Sequence, residues 1–199
     1  MEVLTVSRIW VTSDLHFGHD RDFLYCPRGF QYERDMVQDI VDHWRSTIAA
    51  DDDVYILGDL MLYDTEHTVD FLKILTGRLH IIVGNHDTDR RLEIYRSLPN
   101  VVEITMAKRL RYKKFHFWLS HYPTLCDNYD DGEPLYTKVI NLCGHRHTKD
   151  PFADWDKGVI YHCELDAHDN KPVLLDSIIE DLKQKFREAK ICNETQIML

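Results

Sequence analysis

Five short polar clusters with metal-ligating side chains interrupt the first three quarters of the chain. They read D-L-H, G-D, G-N-H-D, a single H and G-H-R-H, and they begin at residues 14, 58, 84, 121 and 144. Each cluster follows a short run of β-branched, aliphatic and aromatic residues, the composition expected of a buried strand. Carboxylate, imidazole and amide groups bind hard and borderline divalent cations, so this pattern predicts a metal site.

The clusters are spread over residues 14 to 147 but could meet in space, because each follows a predicted strand. In open α/β sheets, ligands bind beyond the carboxyl ends of the strands, which lie together at one edge. Side chains alternate along an extended chain, so Asp14 and His16 are predicted to point the same way. His145 and His147 are predicted to share a direction for the same reason.

Glycine stands immediately before Asp59, Asn85 and His145. A residue without a Cβ lets the backbone turn sharply at a crowded site, which supports a cluster of ligands. A single histidine at a strand end is more often structural or solvated, so only the occurrence of all five clusters in order indicates a metal site. No thiolate belongs to the set, which disfavours a structural zinc finger.

In this order, the five clusters resemble the motifs of the calcineurin-like metallophosphoesterase superfamily. The resemblance is closest to small bacterial and phage-type members with a D-L-H-F-G-H first motif, here residues 14–19, followed by Y-x-x-R-x-F, here residues 25–30. That subgroup usually carries asparagine two residues past the first motif, where this chain has Arg21. The resemblance implies an α/β fold, a four-layer α/β/β/α sandwich of two packed mixed sheets flanked by helices.

The resemblance also implies two divalent or transition-metal ions held by seven carboxylate, imidazole and amide ligands. One ion would be held by Asp14, His16 and His147, the other by Asn85, His121 and His145, and Asp59 would bridge both. Manganese is the expected metal, with iron, zinc, cobalt and nickel as alternatives.

His86 follows a metal ligand and is expected to turn away from the metals. The resemblance implies that it meets the substrate as general acid or as electrostatic partner of the phosphate, with Asp87 orienting its ring. The candidates for substrate contact are His19, Arg21, Arg28 and Arg146. A loop-stabilising role for His19 and a surface ion pair for Arg28 remain open, and strand alternation would aim Arg146 away from the metals.

The implied reaction is hydrolysis of small phosphorylated substrates by in-line attack of a metal-bridging hydroxide, with His86 as general acid. Phosphoprotein phosphatases of the superfamily extend the second motif to G-D-x-x-D-R-G, whereas residues 58–64 read G-D-L-M-L-Y-D. With less cationic help for a doubly charged monoester, a phosphodiester is the expected substrate. The alternatives are a non-catalytic scaffold of the same fold that binds a protein partner, and a nuclease.

Seven strands and three helices are predicted to position these residues. The strands are expected at residues 9–12, 54–57, 79–83, 101–105, 115–119, 139–143 and 159–161. Apolar spacing predicts helices over residues 36–48 and 69–75, and a capping box at Ser177 and Glu180 predicts the start of a last helix. The region 101–175 leaves little room for helices and predicts a second, more antiparallel sheet.

Composition indicates one globular domain over residues 1–199, with 44% hydrophobic and 29% charged residues and no linker or repeat. The net charge of −10 disfavours nucleic acid as a partner. The basic stretch 108–114 alternates with apolar residues and is better explained by a hairpin with one solvated face. No apolar run approaches the ~18 residues of a membrane span. We therefore expect a cytoplasmic protein with no membrane association; the sequence does not indicate an oligomeric state.

Overall fold

Two mixed β-sheets form the centre of the computed structural model, which describes residues 7–124 and 134–197, with side chains to residue 189. The described residues contain nine strands. In chain order these are β1 (Ile9–Thr12), β2 (Asp53–Ile56), β3 (Arg78–Ile82), β4 (Val101–Thr105), β5 (Ala107–Tyr112), β6 (Phe115–Ser120), β7 (Val139–Cys143), β8 (Ile160–His162) and β9 (Val173–Leu174). All seven predicted strands are present within two residues of their expected ends.

The first sheet has the order β4-β3-β2-β1-β9, with β1 to β4 parallel and β9 antiparallel to β1. The second has the order β5-β6-β7-β8. Its β5–β6 hairpin contains the basic stretch, but β6, β7 and β8 are mutually parallel. The prediction of a more antiparallel second sheet therefore holds for the β5–β6 hairpin but not for β6 to β8, and β4 and β9 from the same region belong to the first sheet. The segments after β6 and β7 are each longer than a dozen residues, which is enough for a crossover to a parallel strand.

Five α-helices lie in the described residues. They are α1 (Asp22–Tyr25), α2 (Glu33–Thr47), α3 (Glu66–Lys73), α4 (Asp89–Ser97) and α5 (Leu175–Ile197). The two predicted internal helices are α2 and α3, whereas α1 and α4 were not predicted. Helix α5 begins at Leu175, directly after β9, so Ser177 lies inside the first turn and the predicted capping box does not start the helix. No helix in the described ranges is long and apolar enough to cross a bilayer.

The outer face of the first sheet is covered by α2, α3 and α4. Helix α2 buries Met36, Ile40 and Trp44 there, and α3 and α4 add Leu72 and Tyr95. Burying large apolar side chains removes them from water and is the dominant stabilising contribution to such a fold. These helices fix the first sheet from its outer side.

The second core lies between the two sheets. Val11 of β1 and Leu57, which follows β2, belong to one apolar cluster with Phe117 of β6 and Ile140 of β7. Ile178 of α5 belongs to the same cluster. The predicted arrangement of two packed mixed sheets flanked by helices is confirmed.

The polar clusters occupy the loops after β1, β2, β3, β6 and β7, and backbone hydrogen bonds join these loops. The Asp14 amide donates to the Gly58 carbonyl at 3.1 Å, and the Gly144 amide donates to the His121 carbonyl at 2.9 Å. Between the sheets, the Leu165 amide donates to the Ser13 carbonyl at 3.2 Å. Loops from both sheets therefore meet at one edge.

Candidate metal centre

Five of the seven predicted metal ligands have left-handed backbone conformations. They are Asp14, His16, Asp59, His145 and His147, with φ of 58°, 53°, 55°, 76° and 49°. L-residues avoid this region at a cost of about 1–2 kcal/mol each, and such residues cluster at functional sites. Because β1 ends at Thr12 and β7 at Cys143, neither Asp14 and His16 nor His145 and His147 are part of an extended strand. Strand alternation is therefore the wrong reason for their common direction. The loop conformation turns them instead.

Glycines next to the ligands are required by close packing. At Gly58, whose φ is 97°, a Cβ would lie 2.5 Å from Nδ1 of His121. At Gly84, a Cβ would overlap the carboxylate of Asp59. No side chain fits at either position without displacing a predicted ligand, so the crowding inferred from the sequence is present.

Asp14, His16 and His147 form a first group of potential ligands. Nε2 of His16 lies 3.2 Å from Nε2 of His147, and these nitrogens are 3.6 and 3.7 Å from Oδ1 of Asp14. That Oδ1 atom is buried and has no hydrogen-bond partner among the described residues. Buried polar atoms are normally satisfied, so an orphaned carboxylate oxygen facing two imidazole nitrogens fits a shared cation.

Asp59 and His121 form a second group with Asp14. Oδ2 of Asp59 lies 3.4 Å from Nε2 of His121 and 3.8 Å from Nε2 of His16. Oδ1 of Asn85 lies 2.8 Å from both Nε2 of His121 and Nδ1 of His145. The structure thus brings all seven predicted ligands together, with the Asp59 carboxylate between histidines of the two predicted sets.

Charges in the cluster suit cation binding. Burial lowers the pKa of His16 to about 4, so this imidazole is neutral at pH 7 and has a lone pair available. Burial would raise the pKa of Asp14, but the neighbouring His16 and His147 together lower it below its usual range. The donor set therefore combines an ionised carboxylate with a neutral imidazole, and the residues present fit a divalent metal.

No sequence motif points to Asp166, which lies behind the ligands. Oδ2 of Asp166 is 2.9 Å from Nδ1 of His147 and accepts a hydrogen bond from Nη2 of Arg28 at 2.7 Å. Oδ1 of Asp166 accepts a hydrogen bond from Nε of Arg28 at 3.1 Å. Burial would raise the pKa of Asp166, but His147 and Arg28 lower it to about 2. Carboxylates that contact the second ring nitrogen of a ligating histidine fix its orientation.

Arg28 is not placed to contact a substrate directly. Its side chain is 0% exposed, and Nη2 also donates to the backbone carbonyl of Asp14 at 2.7 Å. The predicted substrate contact does not fit this position, and neither does a surface ion pair. A guanidinium is too costly to bury alone, and only the folded chain shows that Asp166 is its partner.

His86 and Asp87 have different surroundings. The His86 side chain is 41% exposed, with Nε2 4.0 Å from Oδ2 of Asp59, and its backbone amide donates to Oδ1 of Asp59 at 2.8 Å. The Asp87 carboxylate accepts hydrogen bonds from the amides of Asp59 and Gly84 at 3.0 and 2.8 Å and from the Tyr95 hydroxyl at 2.8 Å. Among the described hydrogen bonds, none joins Asp87 to the His86 ring. Asp87 instead connects the loop after β2 to the loop after β3.

The remaining predicted contacts divide between the cavity and the outer surface. His19 is buried, lines the cavity and lies 5.4 Å from His16 between ring centroids. Arg21 is exposed at the start of α1. Arg146 donates to Asp154 at 3.1 Å and does not line the cavity, but strand alternation is not the reason, because His145 and His147 on either side of it are left-handed. The cavity measures about 510 Å³ and includes His86 in its lining.

Comparison with known proteins agrees with this geometry. The family model for calcineurin-like phosphoesterases matches residues 7–192. The chain belongs to this family. It is therefore related to phosphoric ester hydrolases that use divalent metal ions.

Relatives include archaeal and phage proteins. An uncharacterised protein of Methanocaldococcus jannaschii is 27% identical over 197 residues, covering 96% of this chain and 99% of that protein. The gene 66 protein of Mycobacterium phage L5 is 34% identical over 173 residues, covering 72% of this chain and 79% of its own. The expected similarity to phage-type members is confirmed.

Among solved structures, a protein of unknown function from Aquifex aeolicus matches with a TM-score of 0.68 at 22% identity. The match covers 88% of this chain and 99% of that chain. At this identity the likeness shows the fold.

Asp166→Asn should weaken metal binding without removing a ligand. The neutral amide cannot balance the buried Arg28 or hold His147 as strongly, so we expect Mn²⁺ affinity to fall by about 10–100-fold. Calorimetric titration of the metal-free protein measures this. The control is Asp176→Asn, an exposed carboxylate that pairs with Lys113 away from the ligands. Equal Mn²⁺ affinity in both variants would show that Asp166 does not position His147.

Proposed function

We propose that this chain hydrolyses small phosphorylated substrates with two bound divalent cations, and phosphodiesters faster than phosphomonoesters. The observation that supports this most directly is the orphaned Oδ1 of Asp14, which faces the ring nitrogens of His16 and His147. A second donor group, which includes Asp59 and His121, lies beside it.

Seven oxygen and nitrogen donors without a thiolate suit manganese, with iron, zinc, cobalt and nickel as alternatives. When bound, two such cations supply a positive field for the phosphate and lower the pKa of coordinated water. We assign the first ion to Asp14, His16 and His147, the second to Asn85, His121 and His145, and the bridging position to Asp59. In this assignment, Nδ1 of His121 donates to the Leu57 carbonyl at 2.8 Å, which leaves Nε2 for the metal.

We assign His86 the role of proton donor to the departing ester oxygen. Its side chain is 41% exposed at the cavity, and its Nε2 belongs to neither candidate donor group. The hydrogen bond from its backbone amide to Asp59 holds the ring beside the ligands. A general acid needs this combination of fixed position and access to substrate.

Charge around the cavity supports the preference for diesters. None of the described residues that line it is lysine or arginine, and Arg28 and Arg146 form ion pairs with Asp166 and Asp154. A monoester dianion carries one more negative charge than a diester. Without a guanidinium to hold that charge, the diester is the easier substrate.

The substrate proposal is tested with manganese-loaded protein at fixed pH. We expect kcat/KM for bis-p-nitrophenyl phosphate to exceed that for p-nitrophenyl phosphate, and both to exceed that for a phosphoserine peptide. The phosphate released or the p-nitrophenolate absorbance gives each rate. A higher kcat/KM for the peptide would contradict the proposal.

Asp59→Asn should weaken both metal sites, because it removes the charge that both ions would share. His121→Ala removes a ligand of one site only, so we expect about one ion per chain where the wild type binds two. Elemental analysis after manganese loading and desalting measures the content, with Asp176→Asn as the surface control. Absence of bound metal from the loaded wild type would reject the binuclear centre.

His86→Asn should leave the metal content near that of the wild type and lower kcat by about 10²–10⁴, the range for a lost general acid. The loss should be smaller for p-nitrophenyl esters than for alkyl esters, because p-nitrophenolate leaves without protonation. The comparison requires kcat for both ester types and elemental analysis of the same samples. Equal losses for the two types would argue against proton donation.

A further inference from the structure

The cavity beside the ligands has an apolar part that the proposed reaction does not use. We call it the apolar wall: Phe23, Leu24, Pro27 and Leu62. The first three come from α1 and the residue range just after it, and Leu62 comes from the loop after β2. At about 510 Å³, the cavity is within the range of small-molecule sites and has room beyond a phosphate group.

A row of rings connects the apolar wall to the candidate metal centre. The Phe23 ring is 5.3 Å from the His19 ring between centroids, at 83°. His19 is 5.4 Å from His16, and His16 is 5.4 Å from His86. A group attached to a phosphate at the metal centre is therefore within reach of the apolar wall.

Phe23 is an unusual residue for this position. It is 68% exposed at the edge of a cavity. Covering such a ring with another apolar group would be favourable, because it removes apolar surface from water. Its contact with His19 is edge-to-face, and the high exposure leaves ring surface available for stacking.

The charge of the lining disfavours a second anionic group on the substrate. No lysine or arginine is present among the described lining residues, and the carboxylates there are Asp59 and Asp166. Asp166 already pairs with Arg28, and Asp59 belongs to the ligand cluster. A second anionic group on the substrate would lie near these carboxylates without a lysine or arginine in the described lining to balance it.

We propose that the apolar wall binds a planar aromatic ester group of the substrate, with Phe23 as the stacking residue that sets specificity. This inference rests on the proposed function, because the metal centre must hold the phosphate from which the aromatic group extends. It narrows the substrate class to phosphate esters of aromatic groups.

Binding of two non-hydrolysable probes to manganese-loaded protein tests the inference without measuring activity. Phenylphosphonate and methylphosphonate share the phosphonate group and differ in the ring. We expect calorimetry to give a Kd for phenylphosphonate about tenfold lower than that for methylphosphonate, since a stacked ring contributes that order of affinity. In Phe23→Ala this ratio should approach one, and Phe23→Trp should retain it.

Tyr63→Ala is the matched control, because Tyr63 is an exposed aromatic residue beside Leu62 that does not line the cavity. It should leave the Kd ratio unchanged. Equal Kd values for the two probes in the wild type, or an unchanged ratio in Phe23→Ala, would overturn the role of the apolar wall and leave the phosphate site standing. Failure of both probes to bind would reject the phosphate site itself and this inference with it.

Discussion

Burial of the Asp14 carboxylate beside that of Asp59 is the constraint on which the rest of the site depends. Both side chains are almost completely withdrawn from water, and like charges so close are unfavourable unless cations, imidazoles or amides compensate them. The backbone amide of His145 donates to Asp14 at 2.9 Å, and that of His86 donates to Asp59 at 2.8 Å. Three of the ligand histidines lie against the same two carboxylates and add to this compensation.

That constraint also explains why two sheets are needed. The loops of the first sheet provide Asp14, His16, Asp59 and Asn85, and the loops of the second provide the three remaining histidines. An isolated parallel bridge between Ser13 and Glu164 links the two sets of loops. Because the left-handed ligand residues are strained, the two apolar cores must hold the loops in place.

The sequence predicted the fold, and it predicted that seven metal-ligating side chains meet at one edge of the sheets, because both depend on local patterns. Strand runs that end in polar residues mark one sheet edge, and their order identifies the family. The role of Arg28 depends on Asp166, which is 138 residues away and belongs to no motif, so only tertiary packing reveals it. The left-handed conformations of Asp14 and His16 were missed because strand alternation was extended past the end of β1, although aspartate and histidine are among the non-glycine residues found most often in that region. Helix α4 was missed because it buries little apolar surface, with Tyr95 as its one fully buried residue.

His16 and His147 face each other across 131 positions of the chain. A cation held between them would close a loop of that length, and such a cross-link removes entropy from the unfolded chain roughly in proportion to the logarithm of the loop length. Any ion that binds the folded chain alone also shifts the folding equilibrium towards it. The metal centre would thus act as a reversible cross-link between the loop after the first strand and the second sheet. The resistance of the whole chain to heat and to proteases would then depend on the metal supply.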